Sequence, residues 1–158
     1  MRIKYKDGDA LLGPEQYFAH GCNAQGVMGS GIAKQVRELY PLAFGVYRQV
    51  YLGQNQTLFL GQVIEVTAGD KTIFNCITQD MYGREPDVQY VDYDAVRTCM
   101  EYINNSIPIG DPHDGSPYQD VAMPQIGSGL GNGDWKIIEE IIEFTCSNFQ
   151  PIIYVYNG

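Results

Sequence analysis

The sequence is poor in charged residues, and above all in basic ones. Only 18% of its 158 residues are charged, and ten Lys and Arg stand against nineteen Asp and Glu, for a net charge of −9. Broad binding to nucleic acid or to membrane surfaces needs clustered basic side chains. The composition therefore argues against both as partners, although backbone N–H groups could still hold one small anionic ligand.

Long apolar runs and paired cysteines are also lacking. No segment has the length of a signal peptide or the ~20 apolar residues of a membrane-spanning helix. The four cysteines form no C-x-x-C motif, and no His, Cys, Asp or Glu set has metal-ligand spacing, so we expect buried free thiols and no cofactor or metal. These are Cys22, Cys76, Cys99 and Cys146. Together these absences predict a cytoplasmic protein.

Enough apolar residues are present for a packed core. They make up 44% of the chain, which excludes disorder and, at this length, predicts one domain over residues 1–158. Strand-like and helical patterns alternate, which predicts an α/β fold with helices on both faces of a sheet. The predicted strands cover 1–5, 17–22, 58–66, 72–78, 120–123 and 151–156; helices are expected at 32–39, around Phe44–Tyr51, after Asp92 or Asp94, and after Asp134; 108–119 is expected to be a loop.

A glycine-rich segment, HGCNAQGVMGSGIA, runs from the end of the second predicted strand into a helix, at residues 20–33. Small residues let backbone amides approach a phosphate closely, and a helix N-terminus adds further N–H donors. The segment has neither the Gly-Lys-Ser/Thr of a P-loop nor the spacing of a dinucleotide-binding fingerprint. It therefore predicts anion binding, with a loop that only turns the chain as the alternative.

A second glycine-rich segment, MPQIGSGLGNGDW, joins another strand to the last helix at residues 123–135. Both segments follow strands, and ligands of α/β sheets bind beyond the carboxyl ends of their strands. We therefore expect both loops at the same sheet edge, where they could hold a pyrophosphate from two sides. A flexible connector is the alternative for this segment.

In order and spacing, these motifs resemble the macro domains, a family that binds ADP-ribose. Gly8-Asp9 resembles the family's G-D element, whose Asp contacts adenine, and the terminal IIYVYNG resembles its last strand near the adenine. The resemblance implies a three-layer α/β/α fold with a mixed, mostly parallel central sheet, and a monomer that binds ADP-ribose or its 1''-phosphate. The implied ligand-binding residues are Asp9, Ala10, Gly29, Ser30, Gly31, Ile32, Ala33, Gly127, Ser128, Gly129, Leu130, Gly131 and, more weakly, Tyr156.

Two branches of the family are most similar. The terminal ADP-ribose protein glycohydrolases use a Lys after the central strand and an Asp in the second loop, where this sequence has Gln79 and Gly131. The yeast-type ADP-ribose 1''-phosphate phosphatases carry H-x-C-N-x-x-G-x-x-G-x-G-I-A, which residues 20–33 match, although Met28 stands where that branch has Trp. The resemblance therefore favours the phosphatase branch.

Three side chains are the candidate catalytic residues. His20 could act as general acid or base, because an ordinary imidazole titrates near pH ~6.5; its alternative is a strand-end histidine satisfied by the backbone. Asn23 could position the sugar or the phosphate, or could only form a turn. Asp134 could be a second acid/base or only a helix cap. Gln79 and Tyr82 could line the distal ribose pocket or lie on a surface loop.

We therefore predict an enzyme that hydrolyses ADP-ribose 1''-phosphate to ADP-ribose and phosphate. A glycohydrolase that removes ADP-ribose from protein or nucleic acid is one alternative, and a non-enzymatic ADP-ribose-binding module is another. The acidic surface disfavours the former, because a −9 chain repels nucleic acid and acidic peptides.

Overall fold

The computed structural model describes residues 1–111 and 113–156. Its elements in chain order are β1 (Lys4–Asp7), a 3₁₀ turn (Ala10–Leu12), β2 (Tyr17–Asn23), α1 (Gly31–Leu39), α2 (Pro41–Gly53), β3 (Val63–Ala68), β4 (Lys71–Gln79), α3 (Tyr93–Ser106), β5 (Gln119–Met123), α4 (Trp135–Thr145) and β6 (Phe149–Val155). The strands form one sheet in the order β1-β6-β5-β2-β4-β3. β3 runs antiparallel to β4, and the other neighbouring pairs are parallel.

Helices cover both faces of this sheet, so the predicted three-layer α/β/α architecture is confirmed. Successive side chains of a strand point to opposite faces. Phe18 of β2 and Ile73 of β4 pack with α1 and α2, whereas Ala19 and Phe74 pack with α3 and α4. β4 is buried along almost its whole length, as expected for a strand covered on both faces.

Several predicted strand boundaries were wrong. β3 begins at Val63 rather than at residue 58, because Gly61 adopts φ 88°, which breaks extended backbone before the strand. β1 begins at Lys4 rather than at residue 1, since the terminal ammonium of Met1 bonds to the carbonyl oxygens of Glu143 and Cys146 at the end of α4. β6 runs from Phe149 and ends at Val155, which leaves Tyr156 outside the strand.

Two further predictions concern the 108–119 loop and the chain terminus. The described part of the loop forms no helix, but Gln119 already belongs to β5. Pro112 of this loop lies outside the described residues, as do Asn157 and Gly158 of the segment predicted near the adenine.

Two aspartates begin the last two long helices. Asp92 rather than Asp94 caps α3, with its Oδ1 accepting from the Ala95 amide at 2.9 Å. Asp134 caps α4 in the same way, accepting from the Lys136 amide at 3.0 Å. Each side chain satisfies an amide that has no partner within its helix, which fixes where the preceding loop ends.

The cysteine prediction is confirmed in its structural part: all four thiols are buried and free. Within residues 1–111 and 113–156, no helix has the length and apolar character needed to cross a bilayer. The same residues contain no group of three or more His, Cys, Asp or Glu able to hold a metal ion.

Candidate functional site

A cleft of about 750 Å³ opens at the edge of the sheet where β2, β4 and β5 end. Since these three strands are parallel, their carboxyl ends meet there, as the sequence predicted for the two glycine-rich segments. Three stretches of chain line the cleft: 21–23 with 27–33, 78–79 with 82–84, and 124–127 with 129–131. We call residues 24–33, which include the first turn of α1, the first glycine loop, and residues 124–134 the second.

The side chain of Asn23 holds the first glycine loop in shape. Its Nδ2 donates to the Val27 carbonyl at 3.0 Å, and its Oδ1 accepts from the Gln25 amide at 2.9 Å. The Tyr47 hydroxyl of α2 also donates to the Asn23 carbonyl at 2.8 Å. Asn23 also lines the cleft. Its side-chain amide therefore stabilises the loop beside the cleft, and a contact of Asn23 with a ligand stays a prediction.

Helix α2 also supports the tip of this loop. Gly26 adopts φ 77°, and a Cβ on it would lie 2.2 Å from Cδ1 of Tyr51. Arg48 packs over the Tyr51 ring at 5.2 Å and donates to the Gly26 carbonyl at 3.1 Å. A side chain at Gly26 would thus push the loop off α2, which explains why glycine stands here.

The N-terminus of α1 faces the cleft with unpaired donors. The first amides of a helix have no partner within it. In the described chain, the amides of Gly31, Ile32 and Ala33 form no hydrogen bond, and the Ser30 side chain caps none of them. All three residues line the cleft. This gives one wall three N–H groups and the positive end of a helix dipole, which suits an anion.

The second glycine loop is held by bonds within its own backbone. The Gly133 amide donates to the Gly127 carbonyl at 2.7 Å, and the Asn132 amide donates to the Gly129 carbonyl at 3.1 Å. In the described structure, the amides of the intervening residues 129–131 have no partner, and all three line the cleft. A Cβ on Gly31 would lie 3.4 Å from Cδ1 of Leu130, so the two loops lie against each other.

A third wall comes from the segment between β4 and α3. The Asn132 side chain donates to the carbonyls of Glu85 at 2.9 Å and Val88 at 2.8 Å, which ties this segment to the second glycine loop. Arg84 of this segment lines the cleft. Among the described lining residues, Arg84 is the one charged side chain, and none is a carboxylate, lysine or histidine. The cleft is therefore suited to an anionic ligand.

The structure contradicts the prediction that His20 is an acid/base at this cleft. His20 is 0% exposed and lies on the α1–α2 side of β2, stacked on Phe18 at 5.6 Å. Its Nε2 lies 2.6 Å from Oδ1 of Asn75, whose Nδ2 donates to the Ile64 carbonyl at 3.2 Å. Burial lowers the pKa of His20 to about 4, so the ring is neutral at pH 7. It is a core histidine satisfied by a side-chain amide.

The other predicted site residues divide into two groups. Gly29 to Ala33, Gly127 and residues 129–131 line the cleft, together with Gln79 and Tyr82, so the structure brings the predicted loops together. Five predicted residues do not line the cleft: Asp9, Ala10, Ser128, Asp134 and Tyr156.

Three of these five residues, Asp134, Asp9 and Tyr156, lie elsewhere in the fold, outside the lining of the cleft. Asp134 acts as a helix cap, so its predicted acid/base role has no support in the geometry. Asp9 caps the 3₁₀ turn and accepts a bond from Gln35 of α1 at 2.6 Å, which links the predicted adenine end to α1. Tyr156 is 72% exposed. Contacts of Asp9 and Tyr156 with adenine stay predictions.

Thr78 and Arg84 are among the lining residues that were not predicted as site residues from the sequence. Thr78 reads as the last residue of a buried strand, and nothing in its neighbourhood distinguishes it. Arg84 lies in a polar stretch whose path depends on the distant Asn132 side chain. In an acidic chain, an isolated cation close to a predicted site could have been a signal for Arg84.

Comparison with known proteins agrees with this geometry. Residues 19–142 match the family model described as Macro domain. A 17.5 kDa protein in the tk-vs intergenic region of Enterobacteria phage T4 is 32% identical, over 97% of this chain and 96% of its own. An ADP-ribose 1''-phosphate phosphatase of Lodderomyces elongisporus is 30% identical, over 90% of this chain and 92% of its own. A DNA ADP-ribosyl glycohydrolase of Mycobacterium tuberculosis is 29% identical, over 87% of this chain but 37% of its own.

Solved structures share the fold over nearly the whole chain. A protein from Bacteroides thetaiotaomicron, described as of unknown function, superposes with a TM-score of 0.78 at 27% identity and covers 98% of both chains. The Thermosipho africanus DarTG in complex with ADP-ribose superposes with a TM-score of 0.74 over 97% of this chain and 41% of its own. Its 18% identity supports the fold alone.

Proposed function

This chain belongs to the macro domain family, and we propose that it binds ADP-ribose with the diphosphate between its two glycine loops. The observation that carries the proposal is the pair of facing backbone segments, 31–33 and 129–131, whose amides have no partner in the described structure. Such amides cost no rearrangement when an anion binds, because their orientation is already fixed. The adenine end then lies toward β1 and β6, and the distal ribose lies over the ends of β2 and β4.

We propose further that the protein hydrolyses ADP-ribose 1''-phosphate. In this reaction, water adds to phosphorus, the bond between phosphorus and the distal ribose oxygen breaks, and that oxygen takes up a proton as ADP-ribose leaves. Arg84 would bind the phosphate, in a cleft that has no carboxylate among its described lining residues. Catalysis of phosphoryl transfer depends mainly on positioning and charge stabilisation, so the lack of a lining histidine is compatible with it. The phosphatase relative from Lodderomyces elongisporus supports the same reaction.

The glycohydrolase alternative has weaker support in the geometry. The Lys and Asp expected for that branch are replaced by Gln79 and Gly131, and both replacements line the cleft. A Cβ on Gly131 would lie 2.6 Å from the carbonyl oxygen of Gly127, so an Asp does not fit there without moving the loop. We therefore propose phosphatase activity as the first candidate function and non-enzymatic binding of ADP-ribose as the second.

Calorimetry and phosphate release test both parts of the proposal. Wild-type protein should bind ADP-ribose and release phosphate from ADP-ribose 1''-phosphate. Arg84→Ala should lower kcat/KM for that release by about 10- to 100-fold, because it removes a charge-assisted bond to phosphate. The matched control is Arg97→Ala, since Arg97 is exposed on α3 and pairs with Asp94 instead.

Three outcomes separate the candidate functions. Binding without release of phosphate would identify a binding module and refute the phosphatase proposal. Turnover of an ADP-ribosylated Glu peptide or ADP-ribosylated DNA, without phosphate release, would favour the glycohydrolase. Failure to bind ADP-ribose would refute the whole proposal.

A further inference from the structure

Thr78 carries a buried hydroxyl that has no partner. The residue is 1% exposed, and its Oγ1 is the one buried side-chain N or O atom of the described residues for which no hydrogen bond is found. Leaving a buried hydroxyl unsatisfied is unfavourable, so such a group needs an explanation. Thr78 also lines the cleft, which places this residue next to the proposed ligand.

A local irregularity of the sheet positions this side chain. β2 and β4 pair in register as far as Cys22 with Ile77, but the next pair is Asn23 with Gln79. Thr78 is therefore an extra residue with no partner in β2. Bulges are rare in parallel pairs, and bulges in general are over-represented beside active sites, where they redirect a side chain.

Gly21 leaves room above the hydroxyl. A Cβ on Gly21 would lie 2.7 Å from Oγ1 of Thr78 and 3.5 Å from Cγ2 of Ile126. Gly21 and Ile126 also line the cleft. Because Gly21 has no side chain, the cleft floor is open at this point.

The order of the strands decides which part of the ligand lies over Thr78. The predicted adenine residue Asp9 follows β1, the second glycine loop follows β5, the first follows β2, and Thr78 stands at the end of β4. These strands are adjacent in that order across the sheet, with β6 between β1 and β5. A nucleotide that spans both glycine loops from Asp9 therefore ends at Thr78 with its distal sugar.

We propose that the Thr78 hydroxyl hydrogen-bonds the distal ribose end of the bound ligand, on the sugar itself or on the group attached to it. This inference rests on the proposed binding of ADP-ribose and adds a residue to it. Thr78 then distinguishes ligands that carry a distal ribose from those that do not. The hydroxyl, unsatisfied in the free protein, gains its partner when the ligand binds.

The test compares ADP-ribose with ADP, which has the same adenosine and diphosphate but no distal ribose. Thr78→Val replaces the hydroxyl with a methyl group of similar size. It should weaken ADP-ribose binding by about 3- to 10-fold and leave ADP binding unchanged. Thr78→Ser keeps the hydroxyl and should restore the wild-type preference.

Thermal denaturation of the free variants provides a second readout. Thr78→Val should match or exceed the wild-type Tm, because the hydroxyl it removes has no partner. The matched control is Thr72→Val on the same strand, whose hydroxyl lies 3.4 Å from that of Thr67. That control should lower the Tm and leave the binding of both ligands unchanged.

Each remaining outcome overturns the inference. Equal weakening of ADP and ADP-ribose by Thr78→Val, or a lower Tm with unchanged binding, would mean that Thr78 has a structural role only. Unchanged affinity of Thr78→Val for both ligands would mean that Thr78 forms no hydrogen bond with the ligand. If the wild-type protein binds neither ligand, the proposed function itself fails, and that result is distinct from all of these.

Discussion

Acid pH should destabilise this protein through His20, and a single substitution should remove that effect. The ring is fully buried, and burial lowers its pKa to about 4, although its bond to Asn75 opposes the shift. In the unfolded chain a histidine has its ordinary pKa near 6.5. Between these two values the unfolded state binds more protons than the folded state, so stability falls as pH falls.

The size of the effect follows from the two pKa values. The gap between about 4 and 6.5 corresponds to about 3 kcal/mol of stability, which is present in full above pH 6.5 and is lost as the pH falls to 4 and below. This is a large fraction of the 5–15 kcal/mol by which domains are typically stable. His20→Gln keeps an N–H near the Nε2 position for Asn75 and does not titrate, so its stability should lack this part of the pH dependence.

Urea denaturation at a series of pH values from 7 to 4 measures the effect as a difference. The free energy of unfolding of the wild type minus that of His20→Gln should fall by about 3 kcal/mol over this range, because the contributions of other groups cancel. His113→Gln, which removes an exposed imidazole, is the matched control. A difference that stays constant with pH would refute the assignment of His20 to the core as a neutral ring.

Three further predictions concern the loops around the cleft. Gly26→Ala should lower the free energy of unfolding by about 1–3 kcal/mol in denaturant titrations, because its Cβ would lie 2.2 Å from Tyr51. Gly29→Ala should leave the free energy of unfolding unchanged, because no atom lies within 4 Å of the Cβ position of Gly29. Equal effects of the two substitutions would contradict this prediction. Gly131→Asp should abolish ADP-ribose binding in calorimetry and create no glycohydrolase activity, because its Cβ would lie 2.6 Å from the Gly127 carbonyl oxygen. A gain of glycohydrolase activity would contradict this prediction. Asn132→Gly allows the same backbone conformation, with φ 57°, but removes the side-chain hydrogen bonds to the carbonyls of Glu85 and Val88. Hydrogen exchange of the backbone amides near Tyr90 should therefore accelerate. Unchanged exchange would mean that other contacts hold the segment between β4 and α3 in place.

The α/β fold and the meeting of the two glycine loops could be predicted from the sequence. Alternation of strand and helix patterns fixed the architecture, and both loops follow parallel strands, so their common edge needs no knowledge of distant contacts. The boundary of β3 was mispredicted because the apolar residues Leu58, Phe59 and Leu60 before it lie in a turn, where only Leu58 is buried. Leu58 is buried there, although the chain at Gly61 is not extended.

The role of His20 was mispredicted because a motif position was considered without the alternation of its strand. Phe18, His20 and Cys22 share one face of β2, and the first of these is a core residue. That periodicity predicts a core position for the ring, but its partner Asn75 is 55 residues away and could not be identified from spacing. Thr78 was missed for a similar reason, since the bulge that positions it depends on the pairing of β2 with β4.

A crystal structure of the protein with ADP-ribose would locate the diphosphate and the distal ribose relative to the two glycine loops. We expect diphosphate oxygens within about 2.7–3.2 Å of amides in both segments 31–33 and 129–131, with the distal ribose toward Thr78 and Arg84. A ligand bound outside the cleft, or one that reverses this direction so that adenine lies over Thr78, would contradict the proposed binding.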